Sequence, residues 1–163
     1  MRKNIDTFQN EPFLNFGHLD NNNNMLAALT AVKKQLGKTY PLVINGHHFF
    51  TETEPLITSY NPGEKNEVVG YVHTANVKSA ERAHHAAQLA FEKWKLVPAD
   101  ERAFYLTKAA GIIRSRKFEF AAWLIIESGK NWREADADVA EAIDFLEYYA
   151  RSMYDLASPH KLI

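Results

Sequence analysis

The sequence predicts a mainly α-helical chain, about five helices accompanied by one small antiparallel β-meander. Two observations carry that expectation. Between positions 40 and 74 the apolar residues fall in three short runs, "YPLVING", "HHFFT" to "LITSY", and "EVVGYVHT", separated by Asn45-Gly46, Glu54-Pro55 and Asn61-Pro62-Gly63. Such turn residues between short β-prone runs mark antiparallel strands. From Asn76 onward the apolar residues recur at helical spacing instead, and the change of period marks a change of structure. At 163 residues the chain is long enough to bury roughly two-thirds of its unfolded surface in one compact body.

The segments divide as 1–37, an arm followed by a helix; 40–74, the meander; and 76–156, a helical layer. In the first, Phe8, Phe13, Leu14 and Phe16 are scattered through a polar stretch, the composition of an arm laid over a larger body. "DNNNN" (Asp20 to Asn24) offers cap-type residues before "MLAALTAVKKQLG", in which Met25, Leu29, Val32 and Leu36 keep helical spacing and Gly37 supplies a stop. In the helical layer Asn76 is a natural N-cap. Behind it Ala80, Ala83, Ala87, Ala90, Phe91 and Trp94 form a stripe that implies close packing on a neighbour. Pro98 breaks that helix. The next shares Ala103, Leu106, Ala110 and Ile113 on one face. A further helix follows with Phe118, Ala121, Ala122 and Ile125, closed by Ser128-Gly129.

The last helix, "ESGKNWREADADVAEAIDFLEYYA", carries a row of carboxylates that helical geometry sorts into sectors. At about 100° per residue, Ala135, Val139, Ala142, Ile143, Leu146, Ala150 and Met153 form the core stripe. Asp136, Asp144, Glu147 and Arg151 point away from it and are expected to be a solvated face, with Glu147 and Arg151 paired at i,i+4. Glu134, Asp138, Glu141, Phe145 and Tyr148 occupy the remaining sector. Carboxylates flanked by aromatic rings suit a pocket for a small cationic group, because the rings exclude water and lower the local dielectric. The competing reading is that Phe145 and Tyr148 pack on another element while Glu141 pairs with an arginine. A straight helix directs only residues three or four apart at one ion, so a metal site is not expected here.

Composition narrows the function classes. With 19 basic and 20 acidic residues and no basic block, nothing provides an electrostatic footprint for nucleic acid or anionic lipid. No cysteine is present, so this chain holds no disulfide, thiolate metal site or cysteine nucleophile. No apolar run approaches the roughly 20 residues that cross a bilayer, and the start "MRKNIDTFQNEPF" lacks a secretion signal, so the expected location is cytoplasmic. The pairs His47-His48 and His84-His85 each diverge in direction and do not chelate as they stand.

Taken in order, "SYNPGEKNEVVGYV", "AAQLAFEKWKLVPADERAFYLTKAAGIIRSRKFEFAAWLIIESGK" and "ADVAEAIDFLEYYARSM" resemble the amino-terminal third of the aldehyde dehydrogenases. The "EPFLNF" arm, the "YPLVING" strand and "GKNWREADADVAEAIDFLEYYA" resemble one branch, the 1-pyrroline-5-carboxylate (glutamate-γ-semialdehyde) dehydrogenases, up to about Met153. The resemblance implies a larger α/β parent enzyme in which NAD accepts a hydride, a cysteine thiolate attacks the aldehyde and a glutamate-activated water releases glutamate. None of those groups is recognisable in this chain. The expectation is therefore an inactive amino-terminal piece without bound cofactor, whose parent acts on a small aldehyde in proline and arginine breakdown and forms a homo-oligomer. Of the family's functional positions one carries over, Glu141 of "DVAEAIDF", expected near the substrate's α-ammonium group. Two alternatives stand beside this: a stand-alone interaction module of the same ancestry, and a related dehydrogenase with another aldehyde. The tail "YDLASPHKLI" departs from the branch pattern.

Overall fold

A computed structural model describes residues 6–51 and 55–157. The Glu54 break and the end of the tail, 158–163, lie outside them. Helix α1 spans Leu19–Lys33. Strands β1 (Lys38–Tyr40), β2 (Leu42–Ile44), β3 (His47–Phe49), β4 (Leu56–Tyr60) and β5 (Val68–His73) follow, then α2 (Val77–Trp94), α3 (Ala99–Ser115), α4 (Lys117–Ser128) and α5 (Trp132–Ala157).

The five expected helices and small antiparallel pairings are present among the described residues, but the strands are wired differently from a simple meander. Pro41 splits the "YPLVING" run. Proline has no N–H to give a ladder, and the chain changes sheet there, β1 entering a three-stranded sheet of order β1-β5-β4 and β2 pairing with β3. The β2–β3 hairpin turns on Asn45 (φ 53°) and Gly46 (φ 75°), two successive left-handed residues whose twist matches paired strands. Strand β5 is central, antiparallel to β4 and parallel to β1. Its Gly70 allows that approach: a Cβ there would meet the Tyr40 ring at 2.8 Å.

The asparagine run is inside α1 rather than in front of it. His18 occupies the N-cap without a side-chain bond, and Asn15 organises the entry, its carbonyl accepting from the His18 N–H at 3.1 Å and from the Asn21 side chain at 3.0 Å. Met25 and Val32 are fully buried on α1. At the other helix boundaries the cap residues act as the sequence suggests. The Asn76 side chain accepts from the Ser79 N–H at 3.0 Å, and Gly129, at φ 68°, closes α4.

The core lies along α4, which has a neighbour on each side. Ala121 joins Met25, Ala110, Ala135, Val139 and Ile143, while Ala122 and Ile126 join Val32 and Val69 beneath the sheet. Alanines at these crossings let the helices approach closely. Helix α3 packs most extensively on α5, so its Ala103 and Ala110 are buried.

The expectation for α2 is overturned. None of its residues is buried, and Leu89, Phe91 and Trp94 are all more than two-fifths exposed. An amphipathic stripe signals a face that needs covering, and among the described residues little covers this one. Its contacts among the described residues include Arg82 over the Phe49 ring at 4.3 Å and Trp94 against Tyr105 at 5.7 Å.

Candidate functional site

Helix α5 starts at a well-formed cap. Asn131 Oδ1 accepts from the N–H groups of Arg133 and Glu134 at 3.1 and 3.0 Å, satisfying two donors that a helix otherwise leaves free. From there the helix presents its sectors to different surroundings.

The sector expected to be solvated is instead a docking track. Asp136 is 1% exposed and forms an ion pair with Lys117, itself nearly buried, at 3.1 Å. A second Asp136 oxygen accepts from the Leu14 N–H at 2.7 Å. Asp144 accepts from Asn10 and Glu11, and Arg151 donates to the Asp6 carbonyl at 2.9 Å. The amino-terminal arm therefore lies along this side of α5, as its scattered aromatics suggested, and supplies the donors that make these carboxylates tolerable away from water. The small Ala140, 1% exposed, sits between Asp136 and Asp144 on the same track. It takes the buried place expected of Ala142, which is exposed. The i,i+4 pair is present, with Arg151 to Glu147 at 2.7 Å. Arg114 joins it at 3.3 Å and meets Glu11 at 2.8 Å. The Glu11 hydrogen bond, aided by Glu147, raises the Arg114 pKa above its ordinary value against the opposing effect of burial.

The other polar sector opens into a groove of about 400 Å³ between the arm and α5, lined by Phe8, Asn10, Phe13, Ala137, Glu141, Asp144, Phe145, Tyr148 and Tyr149. Of the five residues grouped by spacing, Glu141, Phe145 and Tyr148 are brought together here. Glu134 is not in the lining, and Asp138 pairs with Lys130 instead. Phe145 stacks on Tyr149 with centroids 6.0 Å apart, and Phe8 meets Tyr148 edge-on at 5.5 Å. Both Asp144 oxygens are engaged by the arm. Glu141 has neither a hydrogen bond nor an ion pair among the described residues, so it is the groove's available carboxylate. Of the competing expectation, the packing half is met for Tyr148, which meets Phe8 of the arm, while among the described residues no arginine pairs with Glu141. Phe8, Phe13 and Tyr149 were missed as lining residues. The two arm phenylalanines were visible as apolar residues in a polar stretch, but sequence spacing says nothing of which groove an irregular arm will edge.

Chemically, an open carboxylate among aromatic rings can hold a compact organic cation by charge and by the ring faces. Among the described residues that line the groove there is no serine, threonine, cysteine or lysine nucleophile.

The sequence profile described as the aldehyde dehydrogenase family matches residues 49–161. The chain belongs to the aldehyde dehydrogenase family. Within the family it is similar to 1-pyrroline-5-carboxylate dehydrogenase 1 of Halalkalibacterium halodurans, 51% identical over 152 residues, and to 1-pyrroline-5-carboxylate dehydrogenase 2 of Bacillus subtilis, 52% identical over 150 residues. These alignments cover 93% and 92% of this chain but only 29% of each relative. The solved 1-pyrroline-5-carboxylate dehydrogenase from Thermus with bound NAD superimposes with a TM-score of 0.87 at 44% identity, over 92% of this chain and 29% of that one. The α/β aldehyde dehydrogenase fold is therefore the setting of these helices and strands.

The turn from β5 into α2 is the one place among the described residues where a strand leads directly into a helix. Strand β5 enters α2 through Thr74-Ala75-Asn76, with no glycine to let a pyrophosphate approach the backbone. The Ser79 N–H in the first turn of α2 is already taken by the Asn76 side chain.

Proposed function

We propose that this chain is the amino-terminal part of an NAD-dependent dehydrogenase that oxidises L-glutamate γ-semialdehyde, the open form of 1-pyrroline-5-carboxylate, to L-glutamate. The observation that carries this reading is the identity of about one half to 1-pyrroline-5-carboxylate dehydrogenases over 93% of the chain. The groove adds chemistry to it. A semialdehyde with an α-ammonium group matches an available carboxylate, Glu141, beside Phe145 and Tyr148, and we assign Glu141 to that ammonium.

In this reading the parent enzyme is a cytoplasmic homo-oligomer in proline and arginine breakdown. Residues 76–156 flank its nucleotide-binding sheet, and the exposed face of α2 is the side turned toward that sheet. NAD serves there as hydride acceptor and is held by parts of the enzyme other than the groove. The chain alone lacks a thiolate nucleophile and turns over no aldehyde.

The test is a chimera in which this chain replaces the matching portion of the Bacillus subtilis relative. The folded chimera is expected to form NADH with glutamate semialdehyde, and a folded but inactive chimera would refute the reading. Glu141→Ala should then lower kcat/KM roughly tenfold to a hundredfold, as expected for a lost charge-assisted hydrogen bond. A short aldehyde without the ammonium should lose much less. Equal losses on both aldehydes would return Glu141 to a structural role. The same chimera decides against the stand-alone interaction module, which would not restore catalysis.

A further inference from the structure

The arm contains no helix or strand between residues 6 and 15, so its position is set residue by residue by side chains from the helices beneath. The fixing is concentrated between its two groove-lining rings. Asp144 uses both oxygens on consecutive residues, accepting from Asn10 Nδ2 and from the Glu11 N–H, each at 2.7 Å. The Glu11 carboxylate meets Arg114 at 2.8 Å. The Pro12 carbonyl accepts from Lys117 Nζ at 2.7 Å. Residues 10 to 12 are thus held by three different helices. Phe8 and Phe13 flank them and reach into the groove. Phe13 leaves 73% of its surface in solvent, a state that costs free energy unless something in the groove covers the ring.

From this we infer that the arm is a specificity element of the groove, with Asp144 as the positioning residue that sets Phe8 and Phe13 opposite Glu141, Phe145 and Tyr148. A carboxylate held between two aromatic walls selects a compact ammonium group, because a cation gains from the ring faces on both sides while an uncharged group of the same size does not. Asp144 acts through the arm, because both of its oxygens accept from arm donors. The inference rests on Glu141 being the site of the substrate's ammonium, and it adds that the arm decides how tightly that ammonium is held.

Two measurements test it. In the 163-residue chain itself, NMR titration with L-glutamate is expected to shift the amide signals of Phe8, Phe13 and Glu141 together, whereas glutarate, which lacks the ammonium, leaves them in place. Asp144→Asn keeps the shape but turns a donor toward one of the arm's donors, and Phe13→Ala removes one wall at an exposed position. Each should weaken the glutamate response about threefold to tenfold, the effect of one lost neutral contact. In the active chimera the same substitutions should raise KM for glutamate semialdehyde by a similar factor, and by clearly more than they raise KM for a short uncharged aldehyde. A chimera without activity beside a chain that still shows the glutamate-specific shifts would refute the dehydrogenase reading and support the arm's role. Glutamate shifts confined to α5, or variants whose KM values are unmoved, would overturn the arm's role while leaving the dehydrogenase reading intact.

Discussion

Helices α2 and α5 are equally amphipathic by sequence, yet they have opposite fates. Helix α5 buries Ala135, Asp136, Val139, Ala140, Ile143 and Ala150, and α2 buries nothing. The difference teaches that a helical stripe specifies the need for a partner without specifying where the partner lies. For α5 the partners are α3, α4 and the amino-terminal arm, all within this chain. The small residues of α2 have no such partner among the described residues, which agrees with a chain that spans 29% of its relatives' length. Most of a helix's stability comes from the packing of its amphipathic face, and among the described residues α5 has that packing while α2 does not.

The sharpest way to break this comparison is at the buried end of α5. Lys117→Met should destabilise the chain by about 3–5 kcal/mol, because the Asp136 carboxylate stays buried with its cation gone. Urea unfolding followed by circular dichroism would measure it. Adding Asp136→Leu should recover part of the loss, and strict additivity of the two would show that the pair is not coupled.

A smaller effect is expected where α4 turns into α5. Gly129→Ala places a Cβ at positive φ and 2.8 Å from the Pro62 ring. The left-handed backbone alone costs about 1–2 kcal/mol, and thermal unfolding should show at least that. An unchanged midpoint would mean the C-cap can rearrange freely.

On α2 the expectation reverses. Leu89→Gln with Phe91→Gln should change stability by less than about 0.5 kcal/mol, since neither side chain is buried. The pair should, however, reduce self-association measured by light scattering, because exposed apolar faces seek partners. A chain that is monomeric at high concentration before substitution would contradict that. A large loss of stability would mean that α2 packs on the body after all.

The smallest effect belongs to the exposed pair at the start of α4. Arg116 binds Glu119 through two bonds, at 2.9 and 2.6 Å, and these hold the Glu119 carboxyl below its ordinary pKa. A lowered folded value means that the contribution is complete at neutral pH and drains away as pH falls below the ordinary glutamate range, about 4.3. The difference in melting temperature between the chain and Glu119→Gln should therefore shrink on acidification. A difference that grows would reverse the assignment.

Several features were legible from local pattern alone because their causes are local. Asn76 caps α2 through a bond three residues away, Gly129 ends α4 through its own backbone angle, and Asn45-Gly46 folds a two-residue turn. The grouping of Glu141, Phe145 and Tyr148 follows from helical spacing, and the groove keeps it. The fate of Asp136 and Asp144 was not legible. Spacing placed both on the side away from the core, where carboxylates are ordinarily solvated, and nothing in α5 reveals that a segment more than 120 residues earlier returns with its N–H groups aimed at them.

The sequence by itself determined the start of α2 and the end of α4, that the last helix has one apolar and two polar sectors, and that the chain carries the pattern of the aldehyde dehydrogenases. Only the tertiary structure decided which polar sector meets water. It also decided that β1 pairs in parallel with β5 after Pro41 diverts the chain, and that Phe8 and Phe13 edge the groove. The reason is physical: capping, turns and periodicity act over a few residues and leave their mark in the local order of side chains. Docking of the arm and pairing of distant strands are set by which surfaces meet once the alanine-lined helices close together, and those meetings depend on the whole packed body.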